Sequence, residues 1–484
     1  MKKNLFILMA GALALCACDP SGKEPGNGPT PPAGPEIKLA WAYEIGGYAV
    51  KGNVPAVDDA GNVYMNSAVT NEVYKISPAG DLVWKVAPGY ANGTQASVTI
   101  EADGSAVYAS GGAKADGGTQ GLYVLDANGA VTGTFLNEKF YNKGGVPAIT
   151  INAHTAVSYD DSHIYIGNGS STGTAISIDK SDLSRIAYVS GSADGTGGPA
   201  GGCCSNLAIS KAGKFMFHGG NYGVFIVDKA KFDNPVDENP DAGYGDYVCF
   251  DQRVFHDNGG NWNAGKTCGI ACGAINDVEH FFYVGREKNT NTTFVAAVKA
   301  DGTSNTPTYV YKFPVEMQNQ DQGGIIVGAQ GEVIFSSKHN DQFPGGLYAI
   351  NGNGELAWKY LTNTHISGAA ALDAEGHVHV ADEAGFYYVV KPDYENQTAT
   401  EVLKVDLLDL MRKGGVEVAE TATAKSWTSI VIGNDGKCYV APVITTEAGE
   451  SAHVLCLDCN ISKGPGASSW PMKFANQYHS GIEK

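Results

Sequence analysis

Two adjacent cysteines, Cys203 and Cys204, stand in the run Gly201-Gly202-Cys203-Cys204-Ser205. Neighbouring thiols can close on each other, or each can join a structural disulfide elsewhere. The body also holds Cys249, Cys268, Cys272, Cys438, Cys456 and Cys459, which makes an even set, as a disulfide framework needs. Cys268 and Cys272 are about 13 Å apart if both lie on one strand rising about 3.3 Å per residue, too far to bond each other. A bridge from Cys204 to Cys272 between neighbouring inner strands fits the register read below. Cys438 and Cys456, on adjacent strands, can also pair. Cys456-Leu457-Asp458-Cys459 has the spacing of a metal or redox CxxC. With no second CxxC and no thioredoxin-like βαβ context, it is expected to be neither.

Other residue groups read more simply. His377 and His379 share one face of a strand, but two imidazoles do not complete a metal site, so a packed or solvated face is expected. His218, His256 and His280 are too scattered to assemble. Asp58-Asp59-Ala60-Gly61-Asn62 and Asp373-Ala374-Glu375-Gly376 lack the alternating oxygen ligands of a calcium loop and fall where hairpin turns are needed. Gly167-Asn168-Gly169-Ser170-Ser171-Thr172-Gly173 opens no helix and makes no phosphate cradle. No Gly-x-Ser-x-Gly elbow is present. Two polar insertions, 233–247 and 256–266, are candidate recognition loops. Trp262 in the second either stacks on a sugar or is buried by its own loop.

The elements that position these residues come from an internal repeat. One unit runs Val54 through Gly61-Asn62-Val63-Tyr64, Val73-Tyr74-Lys75-Ile76 and Leu82-Val83-Trp84-Lys85. Another runs Gly324 through Gly331-Glu332-Val333-Ile334, Gly346-Leu347-Tyr348-Ala349-Ile350 and Leu356-Ala357-Trp358-Lys359. Each reads as four short strands with a Gly-bearing turn after the first. Eight units can be placed, with second strands near Val63, Val107, Ile164, Phe215, Phe282, Val333, Val378 and Cys438. The turn glycines are Gly61, Gly104, Gly213, Gly331, Gly376 and Gly436, about 54 residues per unit step. Units three and five lack the glycine. Only 401–413 looks partly helical. A four-stranded unit cannot bury both faces alone, and a closed ring leaves no exposed terminal unit. The expectation is an all-β, eight-bladed β-propeller, with seven blades as the alternative. Leu39–Ile45 reads as a fourth strand that closes the ring on the last blade. Ser469–Phe474 is the competing closing strand.

The N-terminus adds a processing signal. Met1-Lys2-Lys3 and the apolar run 5–15 have the length of a secretory signal and are too short to span a bilayer. The run ends Leu15-Cys16-Ala17-Cys18, which resembles a bacterial lipobox with Cys18 as the lipidated residue. The expected division is signal peptide 1–17, Pro/Gly-rich tether 18–37 and propeller 38–484. The 33 basic and 51 acidic side chains leave a formal charge of −18, which argues against nucleic acid as a partner. The 63 glycines are about twice the usual share of about 7%, and without a Gly-X-Y period they point to many tight turns.

The units resemble those of the PQQ-like, or quinoprotein-type, propellers. The residues that carry the resemblance are Gly61-Asn62-Val63-Tyr64 with Leu82-Val83-Trp84-Lys85, and Gly346-Leu347-Tyr348-Ala349-Ile350 with Leu356-Ala357-Trp358-Lys359. The tail from Trp470-Pro471-Met472 to Gly481 is similar to a Trp-Pro…Gly segment found beside such repeats. Two functions are implied. One is a PQQ- and calcium-dependent dehydrogenase, in which a vicinal pair such as Cys203-Cys204 lies against the cofactor. The other is a lipid-anchored envelope propeller without a cofactor. The chain has few tryptophans, lacks the repeated tryptophan-docking signature of the dehydrogenases, and offers no assignable base or calcium-ligand set. The expectation is therefore a non-catalytic binding scaffold, with envelope proteins or glycans as partners, no cofactor and no catalytic residues. It would be exported and lipid-anchored in the bacterial cell envelope, with the outer membrane as the expected location. Cys203, Cys204 and Cys272 are candidate disulfide or ligand-proximal residues, and Trp262 is a candidate ligand-binding residue.

Overall fold

A computed structural model describes residues 34–47, 53–67, 69–90, 97–111, 121–136, 157–167, 175–183, 186–189, 207–218, 224–233, 246–248, 251–254, 262–263, 270–287, 293–304, 306–313, 324–337, 345–362 and 364–483. For 186, 188–189, 215–218, 246–248, 253, 262–263 and 286–287 this is backbone alone.

The described strands form eight four-stranded antiparallel meanders. Blade one is Ala56–Val57, Val63–Asn66, Val73–Ile76 and Leu82–Val86, from inner to outer strand. Blades two to seven begin on inner strands Thr99–Ile100, Val157–Tyr159, Ala208–Ile209, Ile270–Ile275, Ile325–Val327 and Ala371–Leu372. Blade eight takes Val431–Ile432, Cys438–Val440 and Gly449–Cys459 from the end of the chain and Ile37–Ile45 from its start. All eight sequence-derived second strands fall on second strands of these meanders. Blades six and seven share one sheet through a single parallel pairing, Lys359 with Thr398.

Local chemistry explains where the first strands stop. The six turn glycines all have φ between +69° and +83°, a region closed to most side chains. Unit five uses Asn276 and Asp277 at φ 49° and 61° instead. Unit three turns on Asp160, whose Oδ1 accepts the N–H groups of Ser162 (2.9 Å) and His163 (2.7 Å). Asp58 acts alike: Oδ1 accepts the N–H of Asn62 (2.8 Å) and Oδ2 accepts the hydroxyl of Tyr64 (2.9 Å). The turn reading of these acidic motifs is the observed one.

The core lies between blades, because each sheet buries both faces against its neighbours. Hydroxyls join the inner strands. Thr99 Oγ1 donates to the Val157 carbonyl (2.9 Å), Ser158 Oγ to Leu207 (2.7 Å) and Ser336 Oγ to Gly368 (2.6 Å). Outer-strand tryptophans join the perimeter. Trp84 Nε1 donates to the Ala127 carbonyl of blade two (2.9 Å), and a Cβ on Gly129 would lie 2.9 Å from its ring. Trp41 repeats this across the seam between blades eight and one, donating to Pro78 (3.0 Å) with Gly80 beneath its ring. Two such dockings therefore exist in a chain whose sequence shows no repeated docking signature. Helix Leu407–Lys413 is shorter than the 401–413 segment read as helical, because the outer strand of blade seven runs on to Asp406. Asp406 caps the helix, which buries Leu407, Leu408, Leu410 and Met411 beside the closing strand.

The segment from Pro465 to Glu483 is the main departure from expectation. It supplies no fourth strand. Instead its backbone carbonyls accept the inner-strand N–H groups of Val57 (from Gln477, 2.8 Å), Ile100 (Tyr478, 3.0 Å), Tyr159 (Ser480, 3.0 Å), Ile209 (Gly481, 2.8 Å), Val327 (Trp470, 2.8 Å) and Leu372 (Pro471, 2.7 Å). Ser469 Oγ donates to Cys272 O of blade five (2.7 Å), and Gln477 Nε2 to Asn434 Oδ1 of blade eight (2.8 Å). All eight blades are engaged at the end where their first turns lie. That end of the central channel is closed by the chain itself.

Candidate functional site

Cys18, Cys203 and Cys204 lie outside the described residues. Trp262 pairs through its backbone with Glu287, and its side chain is outside the description. Cys272 is a buried free thiol, and Cys204, its expected partner, lies outside the described residues. The Cys438–Cys456 pairing is corrected by register: Cys438 stands opposite Leu457, whereas Cys456 stands opposite Tyr439, which puts the two thiols on opposite faces of blade eight. Cys456 and Cys459, three apart on one strand, also face opposite ways. Cys459 shares a face with Cys438, but a diagonal neighbour is about 7–8 Å away, beyond disulfide reach.

Burial pushes all four described thiols up from their ordinary range, Cys456 to about 12. The nucleophilic thiolate is therefore suppressed. Maleimide should leave Cys272, Cys438, Cys456 and Cys459 unmodified in the native protein and label all four on unfolding without reductant. A disulfide-linked peptide containing any of them, found by mass spectrometry, would refute this.

His377 and His379 meet at Asp373. Asp373 Oδ2 lies 3.0 Å from His377 Nδ1 and 3.1 Å from His379 Nε2, while Oδ1 accepts the N–H groups of Glu375 (2.9 Å) and His377 (2.8 Å). His379 is fully buried, and its Nδ1 lies 2.9 Å from the Tyr387 hydroxyl and 3.7 Å from Cys438 Sγ. Carboxylate, imidazole and thiol in this order resemble a nucleophilic triad, but the thiol is sealed and protonated, so the network joins blades seven and eight.

A second cluster was not legible in the sequence. Asp160, His163 and Asp233 bring one ligand atom each within 4.8 Å of one another. Lys229 already occupies their midst: its ammonium donates to Asp160 and, at 2.6 Å, to Asp233, and Tyr165 donates to Asp233 Oδ1 at 2.6 Å. Burial opposes ionisation of Asp160, yet Lys229 and the turn N–H groups hold it down to about 2. The cage carries its own cation. Asp233 comes from the start of the blade-four insertion, whose strand Asp246–Val248 pairs in parallel with blade three.

At the end opposite the closed one, blades seven and eight present polar side chains beside a partly exposed indole, Trp427. Thr364 Oγ1 donates to Asp382 Oδ2 (2.7 Å), Ser367 Oγ donates to Glu383, and the Glu383 N–H donates to His365 O (2.9 Å). The Ser426 N–H donates to Asp382 O (3.1 Å), and Lys425 Nζ lies 5.9 Å from the Trp427 ring. The buried hydroxyls of Ser337 and Ser426 have no hydrogen-bond partner among the described residues. An aromatic face near a carboxylate and hydroxyls can stack on a polar ring and hydrogen-bond its edge. Trp427 stood outside the recognised repeat, so sequence alone did not single it out.

No protein-family model and no curated protein matches the chain. Among solved structures, a europium-containing methanol dehydrogenase is similar at a TM-score of 0.56 and 12% identity, over 87% of this chain and 93% of that one. The dihydro-heme d1 dehydrogenase NirN in complex with DHE aligns at 0.46 and 12%, over 90% and 82%. The WD40 beta propeller domain of Doa1 aligns at 0.40 and 11%, over 87% and 97%. At 12% identity the likeness to the first is one of fold alone: the chain is an all-β propeller.

Proposed function

We propose that this protein is a non-catalytic binding scaffold of the bacterial cell envelope, anchored through lipidated Cys18, that recognises glycans or glycan-bearing envelope proteins at the end of its channel opposite the closed one. The observation that supports it most is the grouping of Ser367 and Glu383 with the Asp382–Ser426 contact next to Trp427, at the end opposite the closed one. The described ionisable clusters point the same way, since they hold each other and leave no activated nucleophile. The enzyme reading is favoured by the fold likeness to a methanol dehydrogenase. A polycarboxylate quinone needs cationic partners, however. Arg412, the arginine whose side chain is described, is committed to Asp409 (3.1 Å) and Ala419 O (3.0 Å). Beside Trp427 the described residues place one lysine, Lys425, with the carboxylates of Asp382 and Glu383 close by, which favours an uncharged polar ligand there.

Residues 38–484 should bind bacterial polysaccharide fragments on a glycan array. Trp427→Ala should weaken that binding at least about tenfold, about 1.4 kcal/mol, and Glu383→Gln should weaken it less. A folded protein that binds no glycan and captures nothing from envelope extract refutes the scaffold reading. Saturable micromolar binding of PQQ with calcium, lost on Cys203→Ser and Cys204→Ser, would establish the dehydrogenase instead.

A further inference from the structure

The end of the channel-closing segment is fastened by two carboxyl groups on a single turn. The turn is Lys211-Ala212 of blade four. Its Lys211 N–H donates to Glu483 Oε2 at 3.0 Å, and its Ala212 N–H donates to Glu279 Oε1 at 2.9 Å. Glu483 belongs to the closing segment, and Glu279 to the second strand of blade five. The backbone around Glu483 is tied down as well: its N–H donates to Ile209 O at 2.9 Å, and the Ile209 N–H donates to Gly481 O at 2.8 Å. Each carboxyl takes one N–H from the turn, so the two acids stand on adjacent amides, each within reach of the other's charge. Two ionised carboxylates held this way repel each other, and burial adds to the cost, so the fastened arrangement favours keeping one proton on the pair. Glu279 Oε2 is buried with no hydrogen-bond partner among the described residues.

We propose that the Glu279–Glu483 pair is a proton-operated latch on the closed end of the channel. With the proton shared, residues 481–483 are fastened to blades four and five. When it leaves, two anions face each other and the end of the segment detaches from Ile209, while the stretch around Trp470 stays seated on blades six and seven.

The charges facing the pair set the range. Burial pushes Glu483 up to about 7; the Lys211 N–H draws it down and the Glu279 carboxylate raises it further, with the Lys211 ammonium opposing. Cys272, the other titratable group that senses both acids, is held protonated by burial. Glu483 titrates higher when folded than when unfolded, so its contribution is fully present below about pH 4.5 and is lost as pH rises through about 7.

Hydrogen exchange by mass spectrometry on the folded protein between pH 5 and 9, corrected for intrinsic rate, tests the latch. Peptides covering Ile209 and Glu483 should lose about tenfold in protection from pH 6 to 8.5, while peptides covering Val327 and Leu372 stay unchanged. Glu483→Gln keeps a donor in place at every pH and should flatten the profile at the protected level, and Glu279→Gln should do the same. Unchanged wild-type protection from pH 6 to 8.5 overturns the proposal even if a variant fails to fold. So does an equal loss in Glu483→Gln.

Discussion

Trp470→Ala should destabilise the protein by about 3–5 kcal/mol, the range for a fully buried large aromatic. Trp470 has no solvent exposure and packs with the core of blades four to six, alongside Phe281, Val327 and Ala475. Its carbonyl also accepts the Val327 N–H, and Pro471 accepts that of Leu372. Losing the indole therefore removes both a side-chain filler and the anchor for two backbone bonds. The segment does not hold itself in shape. Phe474, Ala475 and His479 sit at φ 63°, 75° and 66°, each a conformation that costs about 1–3 kcal/mol for a residue other than glycine. Packing must sustain those angles, so a cavity at Trp470 should release strain along the segment. The measurements are the urea midpoint and the exchange protection of the Val327 and Leu372 amides. A midpoint shift without loss of that protection would show that Trp470 is core filling and not a closing element.

How much of this was readable from the chain depends on what each residue does locally. The turn glycines were legible because a left-handed φ is a one-residue requirement, and Gly61 or Gly436 states it outright. The closing strand was legible because Leu39–Ile45 carries the outer-strand pattern and has nowhere else to pair. The closing segment was not. Trp470-Pro471-Met472-Lys473-Phe474 is apolar without a period of two, and the bonds of the segment go to eight separate blades, so no local pattern announces it. The cysteines misled for a related reason. Even number and adjacent strands are necessary for pairing, but face is decisive, and the register that sets Tyr439 against Cys456 depends on a short strand whose ends a sequence does not mark. The Asp160 cage is invisible in sequence because Lys229 and Asp233 arrive from the next blade.

Both ends of the channel carry buried polar groups. At the closed end, Asn434, Asp59 and Tyr478 bond one another across the seam of blades eight and one, while Trp470 Nε1, Gln477 Oε1 and Ser468 Oγ are buried without a partner among the described residues. The hydroxyls of Ser337 and Ser426 are buried in the same way. Buried polar groups carry a cost unless something completes them.

Asp373→Ala should cost about 3–5 kcal/mol, because it strips one partner from a buried network and leaves the rest in place. Four donors lose their acceptor together: the N–H groups of Glu375 and His377 in the turn, and the imidazoles of His377 and His379. His379 is fully buried, so its Nε2 cannot turn to water, whereas His377 is partly exposed and can. Asp373→Asn keeps one oxygen for the turn N–H groups and should cost less, about 1–3 kcal/mol, since the loss falls on the imidazoles. The pH dependence separates this from simple loss of packing. Burial disfavours the Asp373 anion, but the two imidazoles outweigh it and hold its carboxyl well below the usual carboxylate range. Its stabilising contribution is therefore present above the unfolded carboxyl value of about 3.9 and fades as pH falls below it. Urea midpoints of wild type and Asp373→Ala should converge as pH drops through that region and stay apart at pH 6. A gap under about 1 kcal/mol at pH 6 would mean that the network is solvated and that blades seven and eight are held by their apolar faces alone.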